Sequence, residues 1–70
     1  MQNGDVLRAL RKERHLTQGD IAQMLQTSRQ YYSDYECEKH ELPLRHLVYL
    51  AEFYQVTTDF LLGRTKKKTG

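Results

Sequence analysis

The chain has 70 residues, of which 39% are hydrophobic and 29% charged, and its formal net charge is +2. A chain of this length forms one small domain with a modest core, which association with a second copy stabilises. It has no apolar run of the roughly 20 residues that cross a bilayer and no signal-peptide block at its start, so we expect a cytoplasmic protein with no membrane partner.

The first predicted helix spans about residues 4 to 14. Its apolar residues recur three and four positions apart, which indicates a helix with one buried face. The inward residues are Val6, Leu7 and Leu10. The segment "HLT" then interrupts the pattern and separates this helix from the next.

The second predicted helix runs over about residues 18 to 25. Thr17 suits the N-cap position, and Asp20, three residues later, forms a weaker version of the capping box. The inward residues of this helix are Ile21, Ala22 and Leu25.

The third predicted helix, about residues 29 to 37, follows a connection of only about three residues, with Thr27 or Ser28 as its cap. So short a turn forces a sharp crossing, which the small side chain of Ala22 permits. The inward residues of the third helix are Tyr32 and Tyr35. This pattern is typical of a helix-turn-helix, whose second helix can enter a DNA major groove, although periodicity alone fits a plain helical bundle equally well.

Two more predicted helices complete an all-α chain. Pro43 suits the first turn of the fourth helix, where its missing N–H costs nothing. The apolar stripe of this helix consists of Leu44, Leu47, Val48, Ala51 and Tyr54. Thr57 caps a short fifth helix with Asp59 near its positive end, and Gly63 ends it. The apolar residues of the fifth helix are Phe60, Leu61 and Leu62.

Positive charge is concentrated at the C-terminus. Residues 1–63 hold seven Lys and Arg against nine Asp and Glu, a net charge of −2, and the segment "RTKKKTG" carries the other four cations. We therefore expect a domain over residues 1–63 and a flexible basic tail over residues 64–70. A lysine run is more often a solvated tail than a phosphate clamp.

No combination of residues indicates an enzyme, a cofactor or a small-molecule ligand. Cys37 is the only cysteine, and with His40 three residues later it lacks an oxyanion device and an orienting third group. His15, His40 and His46 do not share a face at the spacing of metal ligands, so we expect no metal site.

The runs "LTQGDIAQML", "TSRQYYSDYE", the "LP" before the fourth helix and "DFLLG" together resemble the XRE family of transcriptional regulators, the phage-repressor type of helix-turn-helix. The resemblance covers about residues 6 to 65. It implies a compact five-helix, lambda-repressor-like domain that binds double-stranded operator DNA as a homodimer, with the third helix in the major groove.

The resemblance also implies roles for individual residues. The residues expected to face base edges are Arg29, Gln30, Ser33 and Asp34. The residues expected at phosphates are Gln18, Thr27, Ser28, Tyr31 and Lys39, to which the basic tail adds Lys66, Lys67 and Lys68; the Tyr31 ring could instead touch a thymine methyl. Arg11 and Glu36 match a pair that forms a buried ion pair, unless they are two unrelated surface charges. Helical spacing agrees, because residues 32, 35 and 36 share one side of the third helix and residues 29, 30, 33, 34 and 37 share the other.

Several residues depart from the family pattern. Gln26 and Glu38 stand where glycine is usual, at positions that often need a positive φ, and Gly19 replaces a usual acid. Asp34 is unusual on a reading face because a carboxylate repels phosphate, although it can accept a hydrogen bond from cytosine.

We expect a bacterial or phage repressor, located at the nucleoid, whose two copies read half-sites 34–36 Å apart. The candidates for the interface between copies are Tyr49, Phe53, Phe60 and Leu62, of which Tyr49 and Phe53 could equally belong to the core. The rival interpretation is a protein-interaction module of the same fold, such as an antitoxin-like or anti-repressor partner with weak or no DNA binding. The −2 charge of residues 1–63 and the acidic residues near the third helix favour it slightly.

Overall fold

The computed structural model describes residues 3–68, which contain five α-helices and no strand. In chain order these are α1 Asn3–Glu13, α2 Gln18–Met24, α3 Arg29–Glu36, α4 Leu44–Tyr54 and α5 Thr58–Leu61. The predicted all-α class and number of helices are therefore confirmed, and the ends of the first three helices differ by at most one residue from those expected. Residues 1 and 2 of the predicted domain and residues 69 and 70 of the predicted tail lie outside the described part.

Side-chain caps fix the start of three helices. The Thr17 hydroxyl accepts from the backbone N–H of Asp20, whose carboxylate in turn accepts from the Thr17 N–H, at 3.0 and 2.9 Å. The capping box is thus complete. Ser28 and Thr57 each accept from the N–H three residues on, both at 3.0 Å. Pro43 lies one residue before α4 rather than in its first turn, with a ψ of 155° that belongs to extended chain.

A left-handed residue follows or ends each of the five helices. These residues are His15, Gln26, Glu38 and Gln55, with φ between 57° and 62°, and Gly63 with φ 75°. The positive φ expected at Gln26 and Glu38 is confirmed. Only the last of the five is glycine, so four joints hold an L side chain in a conformation that costs roughly 1 kcal/mol.

The core forms where α1, α2, α3 and α4 meet, and α5 closes one side of it. Its buried apolar residues are Val6, Leu7, Leu10, Ile21, Ala22, Leu25, Tyr32, Tyr35, Leu47, Leu50, Ala51, Tyr54 and Leu61. Tyr32 is fully buried, as the sequence predicted. A buried tyrosine ring removes a large apolar surface from water, which makes it a substantial contributor to so small a core.

The predicted stripe of α4 was partly wrong. Leu44 is 72% exposed and Val48 is 40% exposed, whereas Leu50 and His46, both outside the stripe, are buried. The helix carries apolar residues on two faces, and only one of those faces lies against the core. In α5, Leu61 is buried as expected, while Phe60 and Leu62 are only partly buried against the core.

Gly4 allows α1 to cross the end of α3 closely. A methyl group built on its Cα would overlap the backbone carbonyl of Glu36. A backbone carbonyl cannot swing aside as a side chain can, so any larger residue at position 4 displaces one helix from the other. This close crossing brings the middle of α1 against the inner face of α3.

Candidate nucleic-acid interface

The turn between α2 and α3 is closed by backbone hydrogen bonds. The Gln26 N–H donates to the Gln23 carbonyl at 3.1 Å, and the Thr27 N–H donates to the Ala22 carbonyl at 2.9 Å. Gln26 adopts the left-handed conformation that this arrangement requires. The turn therefore sets the direction of α3 relative to α2 without relying on side-chain contacts alone.

The two sides of α3 differ as its periodicity predicted. Tyr32, Tyr35 and Glu36 are buried, and Arg29, Gln30 and Tyr31 are exposed. Ser33 and Asp34 are half-buried on the outer side. One side of the helix is thus committed to the core while the other faces solvent, with a guanidinium and an amide near its start.

A network of charged and polar groups lies under the inner side of α3. Arg11 donates from Nε and Nη2 to the two oxygens of the Glu36 carboxylate, at 2.7 and 3.1 Å, and from Nη1 to the Leu16 carbonyl at 3.0 Å. The Glu36 side chain is only 1% exposed. The bidentate geometry gives both direction and strength to the pair, which joins α1 to α3.

Gln18 completes this network from the start of α2. Its amide nitrogen donates to the Glu36 carboxylate at 3.1 Å, so one carboxylate links α1, α2 and α3. The second amide hydrogen of Gln18 and its carbonyl oxygen take no part in this contact. The side chain thus braces α3, and it is half-exposed at the first residue of α2.

The network changes the acid–base behaviour of its members. Burial alone raises the pKa of Glu36, but the hydrogen bonds from Arg11 and Gln18 and the nearby Tyr32 hydroxyl outweigh it, so that pKa ends below its ordinary value. The same pair raises the pKa of Arg11. Burial raises the pKa of Tyr32, whose buried hydroxyl makes no hydrogen bond of good geometry with any described group. Glu36 and Arg11 therefore stay charged near neutral pH.

A second cluster lies on the outer side of α3. Asp34 accepts from the Gln30 amide nitrogen at 3.0 Å through one carboxylate oxygen, and its other oxygen lies 3.2 Å from Nε2 of His40. The His40 ring stacks on Tyr31 with 4.5 Å between ring centroids, and Tyr31 meets the edge of Tyr35 at 5.5 Å. This cluster was not predictable from helical spacing, because His40 lies beyond the end of the helix. The only sequence signal was the left-handed residue expected at position 38, which implies that the chain reverses there.

Arg29 lies at the start of α3 with a free guanidinium. Within residues 3–68 it forms no hydrogen bond or ion pair. Its Cδ would lie 3.9 Å from a methyl group built on Gly19, so its aliphatic stem runs beside the first turn of α2. Because Gly19 stands where an acid is usual, no carboxylate from that position holds the guanidinium back.

The remaining residues expected at phosphates lie at the two ends of α3 and in the tail. Ser28 and Lys39 are exposed, and Thr27 is half-buried. Lys66, Lys67 and Lys68 are all exposed. The tail is joined to the domain at both ends of its described part: the Arg64 N–H donates to the Asp59 carbonyl at 2.9 Å, and the Lys68 carbonyl accepts from the Thr57 N–H at 2.8 Å. The Lys68 ammonium also lies 3.5 Å from Glu13. One of the three lysines thus has an acidic partner within the protein.

The residues expected between two copies are not equally accessible. Tyr49 is exposed, whereas Phe53, Phe60 and Leu62 are partly buried against the core. The guanidinium of Arg14 lies 5.0 Å from the centre of the Phe53 ring and covers it. Beside Tyr49 lies an open groove of about 290 Å³ between the end of α2 and α4, lined by Met24, Leu25, Gln26, Arg45, His46 and Tyr49.

Neither a metal centre nor a membrane span is evident in the described part of the chain. No three histidine, cysteine or acidic side chains between residues 3 and 68 are arranged to hold a metal ion. None of the helices in the same range is long and apolar enough to cross a bilayer.

Comparison with known proteins agrees with this geometry. The sequence model described as helix-turn-helix matches residues 7–61, which is more than half of the chain. An uncharacterized HTH-type transcriptional regulator of Bacillus subtilis, YobD, is 41% identical over 59 residues. The match covers 84% of this chain and 53% of YobD, so the chain spans about half the length of this curated relative. No solved structure matches the chain significantly.

Proposed function

The chain belongs to the XRE-type helix-turn-helix family of transcriptional regulators, and from that premise we propose that it is a sequence-specific DNA-binding repressor. It occupies a two-fold operator as a homodimer, with α3 of each copy in the major groove of one half-site. The observation that carries the proposal is the outer side of α3, where Arg29 and Gln30 are exposed on a helix whose other side is anchored in the core.

The chemistry of the outer side suits base edges. A guanidinium can donate twice to the O6 and N7 atoms of guanine, and a glutamine amide can pair with the N6 and N7 atoms of adenine. Arg29, Gln30, Ser33 and Asp34 form the base-facing set. Their hydrogen-bonding groups are carried by a regular helix, so their spacing along the groove is fixed before DNA arrives.

Phosphate contacts hold the helix in position on the duplex. Ser28, Thr27 and Tyr31 flank the start of α3, Lys39 follows its end, and Gln18 has a free amide hydrogen at the start of α2. The exposed lysines 66–68 add positive charge, which strengthens binding to any sequence. Because residues 1–63 carry a net charge of −2, these few groups supply most of the electrostatic attraction.

Two copies are needed for a two-fold operator. One described chain extends 30 Å along its longest axis and contains one recognition helix, whereas half-sites lie about 34–36 Å apart. The interface is centred on Tyr49 of α4, with exposed Leu44 and Val48 on the same helix, and it includes the partly buried Phe53, Phe60 and Leu62. Sedimentation tests this part: a purely monomeric protein at high micromolar concentration contradicts it.

A duplex titration at two salt concentrations tests DNA binding. Fluorescently labelled random duplex is titrated at low and moderate salt, and duplexes selected from a random library then give the preferred sequence. Binding that weakens steeply with salt, together with a two-fold consensus, supports the repressor. No binding even at low salt favours instead a protein-interaction module of the same fold, which the negative charge of residues 1–63 would suit.

A further inference from the structure

The outer cluster of Gln30, Asp34 and His40 raises a question that DNA binding alone does not answer. A carboxylate on a DNA-facing surface repels phosphate, yet Asp34 lies in the middle of the outer side of α3. Its side chain is only 16% exposed; one of its oxygens accepts a hydrogen bond from the Gln30 amide, and the other lies 3.2 Å from Nε2 of His40. Much of its capacity to accept hydrogen bonds is therefore used within the protein.

The hydrogen bond to Asp34 fixes the orientation of the Gln30 amide. An ionised carboxylate can only accept, so the amide nitrogen of Gln30 must point toward Asp34 and its carbonyl oxygen must point away. One N–H is taken by Asp34, and the other N–H and the carbonyl oxygen remain free. This free donor–acceptor edge matches adenine, which offers N7 as an acceptor and N6 as a donor. It does not match guanine, whose N7 and O6 are both acceptors.

His40 holds the Asp34 carboxylate in the position from which it orients the Gln30 amide. The backbone N–H of Lys39 donates to the Asp34 carbonyl at 2.8 Å, and the left-handed Glu38 reverses the chain. These two features return His40 to α3, where its Nε2 lies 3.2 Å from the second carboxylate oxygen and its ring stacks on Tyr31. Tyr31 in turn rests on buried Tyr35, so the support runs from the core to the reading surface.

We propose that His40 is a positioning residue for sequence recognition: through Asp34 it holds the amide of Gln30 in the one orientation that selects adenine over guanine. The inference rests on the proposed DNA-binding function and extends it to a named base and a residue outside the reading helix. His40 itself does not touch the base. Asp34 acts in the same chain of contacts, as the acceptor that orients the amide.

The test compares base preference in full-length variants. The operator position read by Gln30 is first identified as the one where Gln30→Ala loses its preference, and affinities are then measured for duplexes carrying each of the four bases there. We expect the wild type to favour adenine by about tenfold or more, the scale of one good bidentate contact. His40→Ala should reduce this preference to about threefold or less, without changing the preferences at other positions. Asp34→Ala should reduce the adenine preference at this position to the same extent.

Two further variants separate positioning from a general effect. His40→Gln keeps an N–H donor near Asp34 and should restore most of the adenine preference. Glu41→Ala changes an exposed neighbour and should leave the preference intact. Thermal unfolding of His40→Ala is expected to match the wild type because His40 is exposed on a loop; if that variant does not fold, His40→Phe, which keeps a ring beside Tyr31 but has no nitrogen near Asp34, provides the same readout.

The possible results separate the role of His40 from the DNA-binding function proposed for the chain. If the wild type binds no duplex at low salt, the proposed function fails and the inference fails with it. If the wild type binds and His40→Ala keeps its adenine preference, or loses affinity equally for all sequences, only the role of His40 is overturned. A wild-type preference for guanine at the Gln30 position overturns it as well.

Discussion

Two carboxylates of α3, two residues apart, lie in opposite environments. Glu36 faces inward with its side chain 1% exposed, against the guanidinium of Arg11, while Asp34 faces outward with its side chain 16% exposed, against an amide and an imidazole. A fully buried charge needs a paired charge of opposite sign, whereas a partly solvated charge keeps part of its contact with water. One helix thus uses a carboxylate to hold the helices together on its inner side and a second carboxylate to orient an exposed amide on its outer side.

Removing each carboxylate in turn is the strongest test of this contrast. Glu36→Ala leaves Arg11 buried without a counterion, so we expect the free energy of unfolding to fall by about 3–5 kcal/mol. Asp34→Ala should change it by less than about 1 kcal/mol, because the groups it leaves behind can reach water. Urea denaturation measures both. A cost below about 1 kcal/mol for Glu36→Ala would show that the buried pair does not hold α1 to α3.

The contribution of Glu36 to stability should depend on pH. The pKa of Glu36 is lower in the folded chain than its ordinary value of 4.5, so the unfolded chain takes up a proton first as the pH falls. The stabilisation by the Glu36 carboxylate is therefore complete at a pH above the ordinary pKa. It is lost as the pH falls from the ordinary pKa to the lower pKa of the folded chain. We expect the free energy of unfolding of Glu36→Gln to depend less on pH below about 5 than that of the wild type. Equal slopes for the two proteins would contradict this assignment.

The outer side of α3 should respond in DNA affinity rather than in stability. Arg29→Ala removes an exposed side chain and should alter the free energy of unfolding by no more than about 0.5 kcal/mol. It should also remove about 1–3 kcal/mol of discrimination at a single base pair. Titrations against the selected operator and its single-base variants measure the effect. Equal weakening on every sequence would reassign Arg29 to a phosphate.

The tail should give the smallest and least selective effect. Replacing Lys66, Lys67 and Lys68 by alanine should weaken binding to all duplexes alike and lower the slope of log affinity against log salt by about 0.9 for each phosphate that is no longer neutralised. Lys12→Ala, which removes an exposed cation of α1, is the matched control and should leave the slope nearly unchanged. An unchanged slope in the triple variant would mark the lysines as a solvated segment that does not touch DNA.

The sequence could predict the two sides of α3 because they depend on local periodicity. Tyr32 and Tyr35 lie three residues apart on one face, and Arg29 and Gln30 fall on the other, whichever helix packs against them. The caps at Thr17 and Thr57 were equally predictable, because a cap needs only its own residue and the next turn; for α3 the sequence left Thr27 and Ser28 as alternatives.

The sequence could not predict features that depend on how distant segments meet. Leu44 and Val48 have the right spacing for a core stripe, but spacing does not reveal which of two apolar faces has a partner. The close crossing at Gly4 and the contact between His40 and Asp34 both arise from tertiary packing. Neither leaves a pattern at a fixed interval along the chain, so they become visible only in three dimensions.

The four left-handed joints without glycine have a consequence for how this chain tolerates change. Each of these residues lowers the free energy of unfolding by roughly 1 kcal/mol through its left-handed conformation, a strain that glycine would not have. Glycine would recover only part of this, because it also increases the conformational freedom of the unfolded chain. The protein therefore sits below the greatest stability that its own topology allows. Neither His15 nor Gln55 belongs to α3 or to its flanking turns. Replacing either by glycine would raise the free energy of unfolding without changing the DNA-facing surface, and this added stability would let the chain tolerate destabilising substitutions that alter its binding preference.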